Sequence, residues 1–214
     1  MCFSSNASFV AAGTLAVIGF FTIKASSRVN RLRPLACIPY LFAVQQACEG
    51  IVWLTHDNPT SGWLLWSAYI FFGTALILWP TWLPFSIFYA ETNTTRKKIL
   101  LLFLIFGILF SLYAYYLLNT YPLTVSIIGN SISYSIATPQ TYEYLRLIAY
   151  IVPTVIPFFI SSLHYTRIMG IALIASLGIS YTIFYATYGS VWCFFAALLS
   201  GLLWYVIHRN NTRY

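Results

Sequence analysis

Seven apolar runs, separated by short polar or basic segments, make up most of this chain of 214 residues. An α-helix needs roughly 17 to 25 apolar residues to cross the hydrocarbon core of a bilayer. Only 7% of the residues are charged, whereas a soluble domain carries roughly 25%. The sequence therefore predicts an all-α membrane protein in which residues 1–214 form a single seven-helix transmembrane domain. The predicted spans are residues 7–23, 35–54, 63–90, 99–118, 144–163, 168–185 and 189–207.

The basic residues lie almost entirely on one side of these spans. Ten of the eleven Lys and Arg residues follow span one, three, five or seven, and Arg146 is the exception. Cytoplasmic loops carry such an excess of basic residues, so we predict an N-terminus outside the cell and a C-terminus inside it. This topology and anionic lipid explain the net charge of +7 without a nucleic-acid partner. Membrane lipids are the expected partners, and the oligomeric state is left open.

The segment after the fourth span predicts a small extracytoplasmic β-hairpin over about residues 123–136. Apolar and polar residues alternate on both sides of Gly129-Asn130, a dipeptide that suits a two-residue hairpin turn. This turn sets Leu123 opposite Ile136, Val125 opposite Tyr134, and Ile127 opposite Ile132. Two roles are open for the hairpin, a cap over apolar helix ends or a lid over an outward-facing pocket, and we favour the cap.

The second span carries the polar residues that need most explanation. Gln45, Glu49 and Trp53 share one helical face at spacings of four residues, and Gln46 flanks them. A carboxyl group that faces lipid costs several kcal/mol, so we expect this face to turn into the bundle or into a watery cavity. The alternative to a ligand, ion or proton site is a polar cluster that ties neighbouring helices together.

No residue set predicts a metal, a cofactor or a catalytic centre. His56, His164 and His208 are scattered along the chain, whereas a zinc hydrolase needs three converging ligands. The chain also has no phosphate-binding loop and no nucleophile turn. Free buried thiols are the simplest interpretation of the four cysteines. In an oxidising compartment, a Cys2–Cys193 disulfide is the alternative.

Three blocks of the sequence resemble a known family. The opening MCFSSNASF, the second-span QQACEGIVWL and the late SVWCFFAALLS are similar to bacterial and archaeal multi-pass membrane proteins with an MCFSATASF-type start. The chain departs from that start at Ser5 and Asn6. The family has no known activity, so the resemblance implies a bacterial inner-membrane location but no reaction. The residues that match its blocks are Cys2, Phe3, Ser4, Gln45, Gln46, Glu49, Gly50, Trp53, Trp192 and Cys193.

These observations favour a protein that binds or transports a small molecule, an ion or a lipid in an outward-facing polar pocket around Glu49. Two alternatives remain: an intramembrane enzyme that acts on lipids, and a structural or partner-binding membrane subunit. The enzyme alternative lacks the histidine cluster that such enzymes use. The predicted ligand-binding residues are Cys2, Ser4, Gln45, Gln46, Glu49, Trp53, Trp192 and Cys193.

Overall fold

The computed structural model describes residues 4–138 and 142–211. Within these ranges the chain forms ten α-helices and two β-strands. The helices are α1 (Ser5–Ala25), α2 (Arg33–Ala36), α3 (Ile38–Thr55), α4 (Gly62–Gly73), α5 (Trp79–Ala90), α6 (Thr94–Thr120), α7 (Glu143–Ile160), α8 (Thr166–Ile183), α9 (Tyr188–Ser200) and α10 (Leu202–Asn211). The strands are β1 (Leu123–Ile128) and β2 (Ser131–Ile136).

Seven helical segments of the described ranges are long and apolar enough to cross a membrane, which confirms the predicted number of spans. Several of them extend a few residues beyond the predicted ends. They are Ser5–Arg28, Asn30–Thr55, Gly62–Ala90, Thr94–Thr120, Glu143–Ile160, Thr166–Ile183 and Tyr185–Asn210. Large apolar side chains such as Leu102, Leu109 and Leu112 are exposed on the outer face of α6. Such a surface indicates a multi-pass membrane protein, because lipid can cover it and water cannot.

The second span lies at the centre of the bundle. In its most apolar stretch, 67% of the residues are buried, the largest share among the seven segments. Helix α1 packs antiparallel along α3 at two glycines. A Cβ atom on Gly19 would lie 2.7 Å from the Tyr40 ring, and one on Gly50 would lie 2.9 Å from the Phe9 ring. Helix α3 therefore reaches the protein interior along most of its length.

The third span changes its winding next to two prolines. A π-helical turn, Thr74–Leu78, joins α4 to α5. Pro80 lies in the first turn of α5, and Pro84 is accommodated inside that helix. Because a proline has no N–H for the carbonyl four residues earlier, the helix widens just before Pro80 instead of ending. Ser111 Oγ of α6 donates a hydrogen bond to the Ile77 carbonyl in this turn, at 2.7 Å.

The hairpin forms with the register that the sequence predicts. Val125 pairs with Tyr134, and the other two apolar pairs also stand opposite each other. Gly129 has a φ of 60°, which is the left-handed conformation that the turn requires. Ile132 is fully buried, and the Tyr134 ring stacks on Phe71 of α4 at a centroid distance of 4.6 Å. The hairpin thus covers one end of the helix bundle, and we refer to this end as the hairpin end.

Candidate functional site

The polar residues of α3 face the interior of the bundle. The side chains of Gln45, Gln46 and Glu49 are 0% exposed, as the cost of placing a carboxyl group in lipid predicts. Trp53, one turn closer to the hairpin end, is half-buried. The face defined by the four-residue spacing is therefore a buried face, and its polar atoms must find partners on neighbouring helices.

Gln45 links α3 to three other parts of the bundle. Its Oε1 accepts a hydrogen bond from Trp79 Nε1 of α5 at 2.8 Å. Its Nε2 points to the Phe71 carbonyl of α4 and to Cys193 Sγ of α9, each at 3.5 Å. Trp79 also stacks on Phe42 of α3, with ring centroids 4.0 Å apart. Gln45 thus has a structural role in holding these helices together.

Glu49 has two hydrogen-bond donors that come from different helices. Gln46 Nε2 donates to Glu49 Oε2 at 3.2 Å, and Ser190 Oγ of α9 donates to Glu49 Oε1. The Oε1 atom of Gln46 is buried and accepts no hydrogen bond from the described part of the chain. A buried carbonyl oxygen without a donor is costly. The Glu49 network therefore contains an acceptor that a further donor can satisfy.

A cavity of about 610 Å³ lies beneath the hairpin, and it meets this network through two residues of α9. Ser190 and Cys193 both line the cavity, and they are the partners of Glu49 and Gln45 respectively. The volume falls within the range of about 300–1,000 Å³ that is typical of small-molecule sites. Glu49 itself does not line the cavity, and its hydrogen-bond partner Ser190 does.

The polar groups of the cavity lining are concentrated on one set of elements, and the other set is almost entirely apolar. The apolar part of the lining comes from α4, the π-turn and α6. It consists of Phe71, Phe72, Ala75, Leu76, Phe110, Ala114 and Leu117, and Tyr113 is the one residue there with a polar group. The rest of the lining comes from β2, α7 and the segment that leads into α9, where polar side chains alternate with apolar ones such as Ile136 and Leu147. Its polar residues are Ser133, Ser135, Thr138, Glu143, Arg146, Tyr185, Thr187, Tyr188 and Ser190. A ligand that fills this space meets hydrocarbon on one side and charges with hydroxyl groups on the other.

An aromatic layer forms the floor of the cavity. The Tyr150 ring contacts Phe110 edge-on at 5.8 Å and Trp192 at 5.6 Å, measured between ring centroids. Trp192 Nε1 is held by the Leu173 carbonyl and by Ser176 Oγ, both at 3.2 Å. Beneath this layer lies a second, apolar space of only about 40 Å³. The aromatic layer thus closes the cavity toward the middle of the bundle.

The hairpin forms the roof. Tyr134 lines the cavity and stacks on Phe72 at 5.9 Å in addition to Phe71. Ser133 Oγ donates to the Ala186 carbonyl at 3.0 Å, which joins β2 to the segment before α9. The hairpin therefore packs on helix ends, as a cap does, and also covers the cavity.

The predicted ligand-binding residues occupy different positions relative to the cavity. Trp192 and Cys193 line it, and Gln45 and Glu49 lie one side chain behind it. Gln46 adjoins Glu49, and Trp53 is absent from the cavity lining. Ser4 caps α1 by accepting a hydrogen bond from the Ala7 N–H at 3.3 Å, and Cys2 lies outside the described residues. The structure thus brings part of the predicted set to one cavity and adds β2 and α7, which the sequence analysis did not include.

A second buried carboxyl, missed by the sequence analysis, lies at the opposite end of the bundle. Glu91 is 2% exposed and accepts hydrogen bonds from the backbone N–H groups of Thr92, Asn93 and Ser162, at 3.0, 2.9 and 2.6 Å. The hydroxyl groups of Ser161 and Ser162 also donate to it. Burial alone would raise the pKa of Glu91, but these hydrogen bonds outweigh it and lower the pKa below its ordinary value. Glu91 thus joins the α5–α6 loop to the α7–α8 loop.

The cysteines and histidines form no cluster within the described residues. Cys37, Cys48 and Cys193 are free thiols, and the proposed pairing of Cys193 with Cys2 falls outside the described ranges. Residues 4–138 and 142–211 contain no group of three His, Cys, Asp or Glu side chains placed to hold a metal ion. The cavity is therefore the candidate site, and its own side chains define what it can bind.

Comparisons with known proteins give one match. A family model described as a family of unknown function (DUF6629) matches the chain over residues 1–214. No curated protein and no solved structure matches the chain. The match agrees with the expectation of a family that has no known activity, so the function must be inferred from the site.

Proposed function

The chain belongs to the DUF6629 family of unknown function, and we propose that it binds an amphiphilic molecule in the cavity beneath the hairpin. The observation that carries this proposal is the contrast between the two cavity walls. An apolar wall from α4 and α6 suits an acyl chain or a ring system, and a wall of charges and hydroxyl groups suits a polar head. A fully hydrated ion would leave the apolar wall without a partner.

Membrane position supports the same class of ligand. The cavity extends from the hairpin end of the seven candidate membrane spans inward to Ala75 and Phe110, so it has room for both a head group and the first carbons of a lipid. The positive-inside pattern of the sequence favours a location of this end outside the cell, and the resemblance described above favours a bacterial inner membrane. In this proposal the ligand enters the cavity from the outer leaflet or from the medium next to that leaflet.

In this proposal the Glu49 network has a positioning role behind the polar wall. Ser190 lines the cavity and donates a hydrogen bond to Glu49. Cys193 also lines the cavity, and its Sγ accepts from Gln45 Nε2. Since these contacts fix the start of α9 against α3, they hold one wall of the cavity in place. A change in the network therefore reaches the ligand through α9.

A variant that fills the apolar wall tests the proposal. Ala114 of α6 lines the cavity and is 1% exposed, so Ala114→Phe places a ring inside the space. Because the ring occupies part of the ligand space, we expect the affinity of this variant for amphiphiles to be about tenfold lower than that of the wild type. This factor corresponds to about 1.4 kcal/mol of binding free energy. Binding is measured by native mass spectrometry of the detergent-purified protein with a series of added lipids and single-chain amphiphiles.

The matched control is Leu109→Phe on the same helix, because Leu109 is 59% exposed to the surrounding lipid. This control adds a ring of the same type outside the cavity, and it should bind like the wild type. Equal binding by the Ala114 and Leu109 variants, with both proteins folded, would show that the cavity is not the ligand site.

A further inference from the structure

We propose that the cavity binds lipids with a quaternary ammonium head group, and that three tyrosine rings at the hairpin end hold this group. The rings belong to Tyr181 of α8, to Tyr185 and to Tyr188 of α9, and we refer to them as the tyrosine cage. The inference rests on the proposed function, because it specifies the head group that the same cavity takes.

The rings of the tyrosine cage stand at steep angles to one another. The Tyr181 ring contacts Tyr185 at a centroid distance of 5.3 Å and Tyr188 at 5.4 Å, with interplanar angles of 80° and 65°. Neighbouring walls of an aromatic cage meet at such angles, since several ring faces must turn toward one cation. The short 3₁₀ turn Tyr185–Thr187 between α8 and α9 brings the three rings together.

The tyrosine cage can be reached from the cavity. Tyr185 and Tyr188 line the cavity, and Tyr185 is 55% exposed. Tyr181 and Tyr188 are half-buried, so the packing around them restricts their rings while part of each surface stays accessible. A ligand in the cavity therefore meets two of the three rings directly.

Ring faces favour a quaternary ammonium group over a primary one. A quaternary group has a positive charge but no N–H donor, and the electron-rich faces of aromatic rings attract it. A primary ammonium group is compact and strongly hydrated, and it needs hydrogen-bond acceptors when it leaves water. The Tyr181 hydroxyl lies within hydrogen-bonding reach of the Tyr144 and Tyr185 hydroxyls. These hydroxyl groups thus interact with one another, and the ring faces are left for the ligand.

An acidic residue lies beside the tyrosine cage. Glu143 at the start of α7 lines the cavity and acts electrostatically on the Tyr188 hydroxyl. Arg146 acts on the same hydroxyl with the opposite sign, and the effect of Glu143 is the larger of the two. Charge complementarity between a site and its ligand favours the right partner over wrong ones. The surroundings of Tyr188 therefore favour a cation.

The position of the tyrosine cage suits the head group of a lipid. Its rings lie where α8 ends and α9 begins, and tyrosines are frequent at membrane–water interfaces. From there the apolar part of the cavity lining extends inward to Ala75 and Phe110. A lipid whose ammonium group binds in the cage thus has apolar residues beside its first carbons.

The test compares lipids that share acyl chains and differ in the head group. Native mass spectrometry of the full chain, purified in a neutral detergent, measures competition among dioleoyl phosphatidylcholine, phosphatidylethanolamine and phosphatidylglycerol. We expect the choline lipid to bind about tenfold more tightly than the other two, because a desolvated cation on ring faces accounts for about that factor. A preference for the ethanolamine lipid would overturn the inference.

Two substitutions of Tyr185 separate the role of its ring from that of its hydroxyl group. Tyr185→Phe keeps the ring face and should keep the preference for choline over ethanolamine. Tyr185→Leu removes the ring and should reduce this preference severalfold. The matched control is Tyr116→Leu on α6, because Tyr116 is 60% exposed and is not among the lining residues of the cavity. It should behave like the wild type.

Two results with these variants would contradict the tyrosine cage. An equal preference in folded Tyr185→Leu and Tyr116→Leu would show that the ring does not bind the head group. Loss of the preference in Tyr185→Phe would assign the binding to the hydroxyl group instead of the ring face.

A substitution of Glu143 tests the electrostatic part of the site. Glu143→Gln should reduce the preference for choline over glycerol lipid severalfold, and it should leave the preference for choline over ethanolamine unchanged, because both of these heads carry an ammonium group. Asp57→Asn is the charge-matched control, since Asp57 has a 93% exposed side chain outside the cavity. An unchanged ratio of choline to glycerol lipid in Glu143→Gln would contradict the placement of the ammonium group beside Glu143.

The outcomes separate the two proposals. If no amphiphile binds, the proposed function fails. If all three lipids bind equally to the wild type, amphiphile binding stands, the head-group inference is wrong, and the three tyrosines are only an interfacial anchor.

Soluble probes make the test independent of any substitution. Tetramethylammonium chloride should displace the choline lipid from the wild type, whereas sodium chloride at the same concentration should not, and equal displacement by the two salts would overturn the inference. Tight binding of water-soluble phosphocholine, which lacks acyl chains, would identify a free solute as the source of the head group. Binding of the dioleoyl form alone would identify a membrane lipid.

Discussion

Two buried carboxyls of this chain are held in different ways. Glu91 accepts backbone N–H groups from two loops, so its partners cannot rotate away without a movement of the main chain. Gln46 and Ser190 donate to Glu49 from their side chains, and these two contacts can change by a change of rotamer. We infer that Glu91 is a fixed part of the fold, and that the contacts of Gln46 and Ser190 with Glu49 can rearrange more easily.

Substitution of Glu91 should destabilise the protein in a pH-dependent way. Glu91→Gln replaces the charged acceptor of the hydrogen bonds that hold the two loops together with a neutral amide. We expect the free energy of unfolding at neutral pH to fall by about 1–3 kcal/mol. Because the folded pKa of Glu91 lies below its unfolded value, the wild type holds this stability above the unfolded pKa. It loses the stability as the pH falls through the folded pKa.

Thermal unfolding in detergent checks this prediction. The difference in midpoint between the wild type and Glu91→Gln should be largest near pH 7 and should shrink at about pH 3, below the ordinary range of a carboxyl group. The exposed Asp57, changed to Asn, serves as the control for a lost negative charge. A difference that is constant across this pH range would contradict the role assigned to the charge.

Close approach of α5, α6 and α7 depends on Gly107. A Cβ atom at this position would lie 1.9 Å from the Pro80 carbonyl oxygen and 3.3 Å from Pro153. Since backbone atoms cannot give way as a side-chain tip does, Gly107→Ala must separate the helices, at a cost of about 1–3 kcal/mol or more. Thermal unfolding should show the loss. The control is Gly13→Ala in α1, where nothing lies within 4 Å, and it should be neutral or stabilising.

The hairpin should be sensitive to the conformation of its turn. Gly129 has a φ of 60° and Asn130 does not have a positive φ, so Gly129→Ala should destabilise the hairpin by about 1–2 kcal/mol, whereas Asn130→Ala should cost less. Hydrogen exchange of residues 123–136 measures the effect, and exchange in α6 provides an internal reference. Equal exchange in the two variants would show that the turn does not limit the stability of the hairpin.

The elements of this protein could be read from the sequence, but the site could be read only in part. Lengths of apolar runs predict spans, and the alternation around Gly129 predicts the register, because both are local patterns. The burial of Glu49 followed from the cost of a carboxyl group in lipid. The cavity depends on how far α6, α7 and α9 separate above the contact at Gly107, and no local pattern records that distance. Arg146 was therefore recognised as an exception to the charge pattern, but not as a lining residue.

Across the whole molecule, the basic loops and the hairpin lie at opposite ends, which makes the predicted orientation testable. Thr60, Thr95 and Asn130 are exposed; Thr60 and Asn130 lie at the hairpin end. In a chain whose native cysteines are replaced, a single cysteine at position 60 or 130 should react with a membrane-impermeant reagent on intact cells. A cysteine at position 95 should react only after the cells are opened. The reverse pattern would invert the orientation and move the proposed ligand source to the cytoplasmic leaflet.

The aromatic floor of the cavity has an electrical consequence. Tyr150, Trp192 and Cys193 line both the large cavity and the small apolar space below it, so within the described residues these side chains separate the large cavity from the middle of the bundle. An ion would have to shed its hydration shell against hydrocarbon, which is prohibitive. Cells that produce the protein should therefore show no added membrane current over a wide range of voltages, even while the cavity exchanges its ligand with the surroundings.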